Sequence, residues 1–205
     1  MRFILPMVVV FGLLGAAPAL AQDARTLEIE GQVTTLGISE FDTTDVGVGV
    51  QAAWRTGPVL AIDGTLAFFP GNGDGAEFLQ IDHQQKVLGL VGVRAQADRG
   101  RLALFVRARP GFLRFVSEDR VACIALAVFP LPLACQVLAG TTVFAAELGG
   151  GAHLDLPGER AFVSVELSDV LLRYPGAAFR PRGRVAQDAF ISHNARATIG
   201  LGWRF

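Results

Sequence analysis

Lysine, tyrosine and tryptophan are scarce in this 205-residue chain, which has one lysine, one tyrosine and two tryptophans. Charge is scarce too, because 18% of the residues are charged and the formal net charge is −1. A nucleic-acid-binding surface needs a clear excess of basic residues to neutralise phosphates, so we expect no nucleic-acid partner. Beyond the first 21 residues, only one stretch is apolar for long enough to suggest a membrane-spanning helix. The 51% apolar content must therefore be held by something other than helices.

The first 21 residues have the pattern of a secretory signal peptide. Arg2 precedes an apolar run over residues 3–14, and Ala19 and Ala21 have the small-x-small spacing that signal peptidase cleaves. The run is too short for a spanning helix of about 20 residues. No cysteine lies near the cleavage site, so we do not expect a lipoprotein. We therefore expect export of the chain, with residues 22–205 forming a single domain.

From Leu27 onward the chain repeats with a period of two, which is the period of a β-strand. In the segment "LEIEGQVTT", for example, Leu27, Ile29 and Val33 alternate with polar residues. Eight such segments lie at 27–35, 46–54, 59–68, 87–96, 102–112, 142–156, 161–168 and in the stretch that ends at 205. The sequence therefore predicts an all-β fold with eight strands.

The connections between these segments alternate in length. Three of them, "RTGP", "ADRGR" and "PGER", are tight turns, and both termini lie at the same end as these turns. The longer connections are predicted at 36–45, 70–86, 113–141 and 169–190. This alternation is typical of outer-membrane barrels, and lipid forces closure because it offers the backbone no hydrogen-bond partners. We therefore predict an eight-stranded antiparallel up-and-down transmembrane β-barrel.

Charged residues share one face of the predicted strands. An eight-stranded barrel has an interior just wide enough to be filled by side chains, whereas a mid-membrane arginine on the lipid face would cost up to about 2–4 kcal/mol. We therefore predict a filled, salt-bridged interior with no continuous water channel. Its members are Glu28, Glu30, Asp63, Glu147, Asp155 and Glu166, with Arg55, Arg94, Arg107, Arg109, Arg196 and Arg204.

The final residues alternate in the same way. Leu201, Trp203 and Phe205 resemble the C-terminal signature that outer-membrane barrels present to their assembly machinery. The segments "RARPGFLRF" at 107–115 and "GGGAHLDLPGERAFVSVELSDVLLRY" at 149–174 resemble uncharacterised outer-membrane β-barrel domain proteins.

The chain as a whole is thus similar to the small OmpA/OmpX-like outer-membrane barrels. The resemblance implies an outer-membrane location, with outer-membrane lipid, lipopolysaccharide and the barrel assembly machinery as partners, and it implies no cofactor. With so few tyrosines and tryptophans, we expect any aromatic belts to consist of phenylalanine.

The apolar stretch at 121–140, "VACIALAVFPLPLACQVLAG", falls in the connection between the fifth and sixth strands. Pro130 and Pro132 argue against a helix, so we expect an external loop. In the oxidising exterior Cys123 and Cys135 are expected to pair, which stabilises by roughly 3 kcal/mol in the chain-entropy description. The loop is expected to cover the barrel mouth or rest on the outer leaflet, or else to bind a surface partner.

No catalytic or metal site emerges from the motifs. The loop "GNGDG" at 71–75 lacks the spacing of a calcium loop, and the neighbours Ser192 and His193 point to opposite faces of a strand. We therefore expect a non-enzymatic protein with a structural or surface-interaction role in the cell envelope. The alternatives are an outer-membrane enzyme acting on lipid A or phospholipid, and a narrow pore.

Two further residues carry structural expectations. His153 is predicted to point into the barrel beside Glu147 and Glu166, as part of a hydrogen-bonded network. Pro110 lies in the middle of the fifth strand without a donor for the ladder, which predicts a β-bulge there.

Overall fold

The structure, a computed structural model, describes residues 27–39, 43–70, 85–116, 141–158, 160–175 and 189–205. Eight antiparallel strands form one closed barrel in which each strand pairs with the next and β1 pairs with β8. This confirms the predicted fold. The strands are β1 (Leu27–Ile38), β2 (Thr43–Arg55), β3 (Leu60–Phe69), β4 (Lys86–Arg99), β5 (Leu102–Phe115), β6 (Thr142–Asp155), β7 (Ala161–Tyr174) and β8 (Phe190–Arg204).

Burial alternates along each strand, because successive side chains of a strand point to opposite faces. In β8, for example, Leu201 is 61% exposed on the outside while Arg196 is 2% exposed in the interior. The outer surface of the barrel is consequently a belt of exposed aliphatic side chains. Within the described ranges, no helix is long and apolar enough to cross a membrane. The predicted signal peptide lies outside the described residues.

Aromatic side chains on the outer surface form two groups, one near each end of the barrel. At the end with the tight turns they are Trp54, Trp203 and Phe205, and at the opposite end they are Phe68, Phe112 and Phe144. The expectation of belts made of phenylalanine alone is therefore wrong at the turn end, where both tryptophans lie.

The strands extend further than predicted at the end opposite the tight turns, which we call the loop end. β1 and β2 stay paired as far as Ile38 and Thr43, so the predicted long connection at 36–45 is a short one at 39–42. The prediction assigned these residues to a loop because several residues on the outer face of this end are polar. The other three connections, at 70–85, 116–141 and 175–189, are long as predicted.

The barrel interior has two layers. Toward the turn end it holds the charged side chains, and toward the loop end it holds a cluster of buried apolar residues, here called the apolar layer. Its members are Leu36, Ile38, Ala67, Phe69, Leu88, Leu90, Leu113, Phe115, Val143, Ala145, Val170, Leu172 and Tyr174, with Phe190 packed against them. The prediction of the interior as salt-bridged did not include this layer.

Pro110 does not produce a bulge, so that prediction is wrong. The pairing of β4 with β5 keeps one register on both sides of it, from Leu90↔Gly111 to Val93↔Ala108. The ladder omits only the two intervening pairs, where the proline has no N–H to donate. Gly111 makes this possible, because a Cβ atom there would lie 1.9 Å from the carbonyl oxygen of Gly89.

We expect Gly111→Ala to destabilise the barrel by about 1–3 kcal/mol, because the new methyl group meets backbone that cannot give way. The matched control is Gly31→Ala in β1, where a Cβ atom would meet nothing within 4 Å, and its effect should stay within about 0.5 kcal/mol. Urea titration of the barrel in lipid vesicles measures both. Equal stabilities of the two variants would contradict the close approach of β4 and β5.

Candidate functional site

The charged layer of the interior contains two ion-pair clusters. The first is centred on Glu28, which is 2% exposed and accepts a hydrogen bond from Arg94. Glu28 also pairs with Arg55 at 3.0 Å and with Arg204 at 3.0 Å. Arg204 in turn donates to Asp155 at 2.6 Å. This cluster joins strands β1, β2, β4, β6 and β8 close to the turn end.

The second cluster lies deeper in the barrel and is centred on Arg109 and Glu147. Arg109 Nε donates to Glu147 Oε2 at 2.7 Å, and its Nη2 atom contacts the same carboxylate. The other Glu147 oxygen accepts from Arg196 Nη1 at 2.9 Å. Arg107 pairs with Glu166 at 2.9 Å and Asp63 at 3.3 Å.

The ion pairs of these two clusters include every charged interior residue predicted from the sequence except Glu30. The contact described for Glu30 is a hydrogen bond that it accepts from Ser164.

One buried ion pair was not foreseen from the sequence. Lys86 Nζ donates to Asp45 Oδ2 at 2.6 Å, and the two side chains are 2% and 5% exposed. Lys86 lies opposite Phe69 and Phe115 in the sheet, so this pair is at the level of the apolar layer. The predicted connection 36–45 includes residue 45, so Asp45 is absent from the predicted interior; the alternation that continues through 43–45 is the signal that identifies it.

His153 is buried, as predicted, but in a different environment. Its ring lies between the rings of Phe105 and Phe162, with centroid distances of 4.6 Å and 4.7 Å. The expected position in a network with Glu147 and Glu166 is therefore wrong, because His153 lies six positions beyond Glu147 in β6 and neither ring nitrogen has a hydrogen-bond partner among the described residues. The contacts point to a packing role for the histidine.

Ser192 and His193 point to opposite faces of β8, as predicted. His193 is on the outside, where Nδ1 lies 2.7 Å from Asp169 Oδ2, and Ser192 is buried in the interior. The hydroxyl of Ser39 also lies nearby, but its described hydrogen bonds are to Ser192 Oγ at 3.0 Å and to the carbonyl oxygen of His193 at 2.9 Å. Neither contact would activate a serine through the imidazole ring.

The outer surface also carries a groove of about 570 Å³ across strands β1 to β5. It forms where Ala52, Gly64, Gly89 and Gly111 leave room between larger side chains such as Ile29. The lining is apolar except for Gln51 and Thr65, neither of which is an acid or a base. The groove therefore offers space for hydrocarbon and no group suited to acid–base chemistry.

The remaining predicted residues separate into two sets. Leu201, Trp203 and Phe205 project from the outer surface of the turn end, and their role as an assembly signal stays a prediction. Cys123, Cys135, the loop 121–140 and the segment 71–75 lie outside the described residues. No group of three or more potential metal ligands occurs among the residues the structure describes.

The barrel is similar to solved outer-membrane barrels. Neisserial surface protein A matches with a TM-score of 0.52 and 9% identity over 87% of this chain and 96% of that one. The N-terminal β-barrel domain of Pseudomonas aeruginosa OprF matches with a TM-score of 0.50 and 10% identity over 87% and 97%. No family model and no curated protein matches the sequence. These likenesses show that the chain has the fold of the small eight-stranded outer-membrane barrels.

Proposed function

We propose that this chain is an outer-membrane protein that spans the membrane as a closed barrel without a pore. Its role is structural or interactive, and it presents the long connections at the loop end to the cell exterior. The exposed aliphatic belt between two groups of aromatic side chains supports a membrane position, because aromatic residues concentrate at both interfaces of such barrels.

The observation that carries the proposal is the filled interior. The two ion-pair clusters cross the barrel toward the turn end, and Arg94, Arg109 and Arg196 within them are at most 2% exposed. Above them the apolar layer closes the other half, where Phe69, Phe115 and Tyr174 are buried. An apolar constriction is a barrier to ions even where it admits occasional water.

Planar-bilayer recordings test this. We expect the purified full chain to give no steady conductance, whereas a porin in the same bilayer gives discrete steps. Cell fractionation should find the protein in the outer membrane with heat-modifiable mobility on electrophoresis. Reproducible unit conductance, or recovery in a soluble fraction, would contradict the proposal.

A further inference from the structure

The outer surface of the barrel changes from apolar to polar at the loop end. Apart from the Lys86–Asp45 ion pair, the buried side chains of the apolar layer are almost all hydrocarbon, and the outward positions between its members include Thr35, Arg114, Thr142 and Arg173. This is the reverse of the arrangement near the turn end, where charges lie inside and aliphatic side chains outside. A barrel with polar residues outside stands beyond the hydrocarbon, so the change of pattern marks the outer boundary of the lipid on this side.

Phe112 and Phe144 mark the same boundary. They face each other across β5 and β6 and are 41% and 55% exposed on the outer surface. Arg114 is the next outward residue on β5, and Arg173 faces Phe144 from β7. The two arginines therefore flank β6: Arg173 is level with the aromatic pair in the register, and Arg114 is one outward position beyond it, at the height of lipid headgroups.

Both arginines are exposed, and neither has a hydrogen bond or ion pair among the residues the structure describes. The nearest outward carboxylate along β7 is Asp169. Its oxygens are occupied by His193 at 2.7 Å and by the backbone N–H of Asn194 at 3.1 Å. Within the described ranges, these two cations therefore have no protein counter-charge.

From this we infer that Arg114 and Arg173 bind a phosphate of lipid A, the phosphorylated glycolipid of the outer leaflet, with its acyl chains against Phe112 and Phe144. The inference rests on the proposed function, since that function places the loop end in the outer leaflet. Guanidinium groups suit the site because they bind phosphate oxygens through two parallel hydrogen bonds. Lipid A is favoured over a soluble anion because the cations adjoin an apolar surface.

Binding of fluorescent bisphosphorylated lipid A to the full-length barrel in neutral detergent micelles tests the site. Arg114→Gln/Arg173→Gln should weaken binding roughly thirtyfold, because each arginine beside an anionic lipid surface contributes about a factor of five. The matched control is Arg99→Gln/Arg160→Gln, which removes two exposed arginines from the turn end and should bind like the unaltered chain. Dephosphorylated lipid A should bind all three proteins equally weakly.

Equal binding by the three proteins would overturn the inference, and so would equal loss in both double variants, which would indicate non-specific charge. Phosphatidylglycerol binding as tightly as lipid A would overturn the choice of a glycolipid. Heat-modifiable mobility of each variant shows that it is folded. The absence of conductance is independent of these two arginines, so failure of this inference is distinguishable from failure of the proposed function.

Discussion

Arg109→Leu is expected to destabilise the barrel by about 3–5 kcal/mol, which is the usual cost of removing one partner of a buried ion pair. Arg109 is 1% exposed and contacts Glu147, Glu166 and Thr65. Without it, the Glu147 carboxylate keeps Arg196 as its only described cation, and Glu166 keeps only Arg107. The loss should appear in urea titrations of the barrel folded into phosphatidylcholine vesicles.

The control for this variant is Arg99→Leu. Arg99 is exposed near the turn end of β4, so the same chemical change there should alter the free energy of unfolding by no more than about 0.5 kcal/mol. If the two variants lost stability equally, the effect would reflect the leucine and not the buried pair. The inward assignment of β5 would then have to be abandoned.

A second large effect is expected at Lys86 and Asp45, which form a pair with no other ion-pair partner in the described part of the chain. Either Lys86→Met or Asp45→Leu leaves one charge buried beside the apolar layer, at a cost of about 3–5 kcal/mol. The double variant replaces the pair with apolar side chains that suit their surroundings. It should recover most of the stability, and it can exceed that of the unaltered chain by about 1–4 kcal/mol.

The four proteins form a double-mutant cycle, measured by urea titration in vesicles of one lipid. A coupling close to zero, with both single variants as stable as the unaltered chain, would show that water reaches the two charges through the loop end. The isolation of this pair makes the cycle easier to interpret than one at Arg109, where several partners rearrange together.

The number, order and inward faces of the strands were predictable because they depend on local alternation. A strand with one apolar face and one polar face has a period of two whatever its neighbours are. The segments 27–33 and 199–205 can therefore each be assigned as strands without knowledge of the rest of the chain. Closure of the barrel was predictable because lipid offers no hydrogen-bond partners to the backbone N–H and C=O groups of an edge strand. These features need no knowledge of which side chains meet.

The strand ends were less predictable, for a physical reason. At the loop end the outside becomes polar and the inside apolar, so the pattern around Thr43 and Thr44 resembles a loop. The alternation itself continues there, but the chemical identity of its two faces is exchanged. A prediction that requires apolar residues on the outside therefore stops before the strand does. For this reason the predicted ends of β1, β5 and β7 fall short of the observed ends.

By itself, the sequence determined the all-β class, the eight strands and most of the charges that point into the barrel, with Lys86 and Asp45 as the exceptions, because these features depend on the spacing of residues within single segments. Only the tertiary structure decided which charges pair, since Glu28 meets Arg204 across 176 positions of the chain and strand registers set every such contact. It also decided that Pro110 needs no bulge and that His153 stacks between two rings. These outcomes depend on how closely neighbouring strands approach, which no single segment encodes.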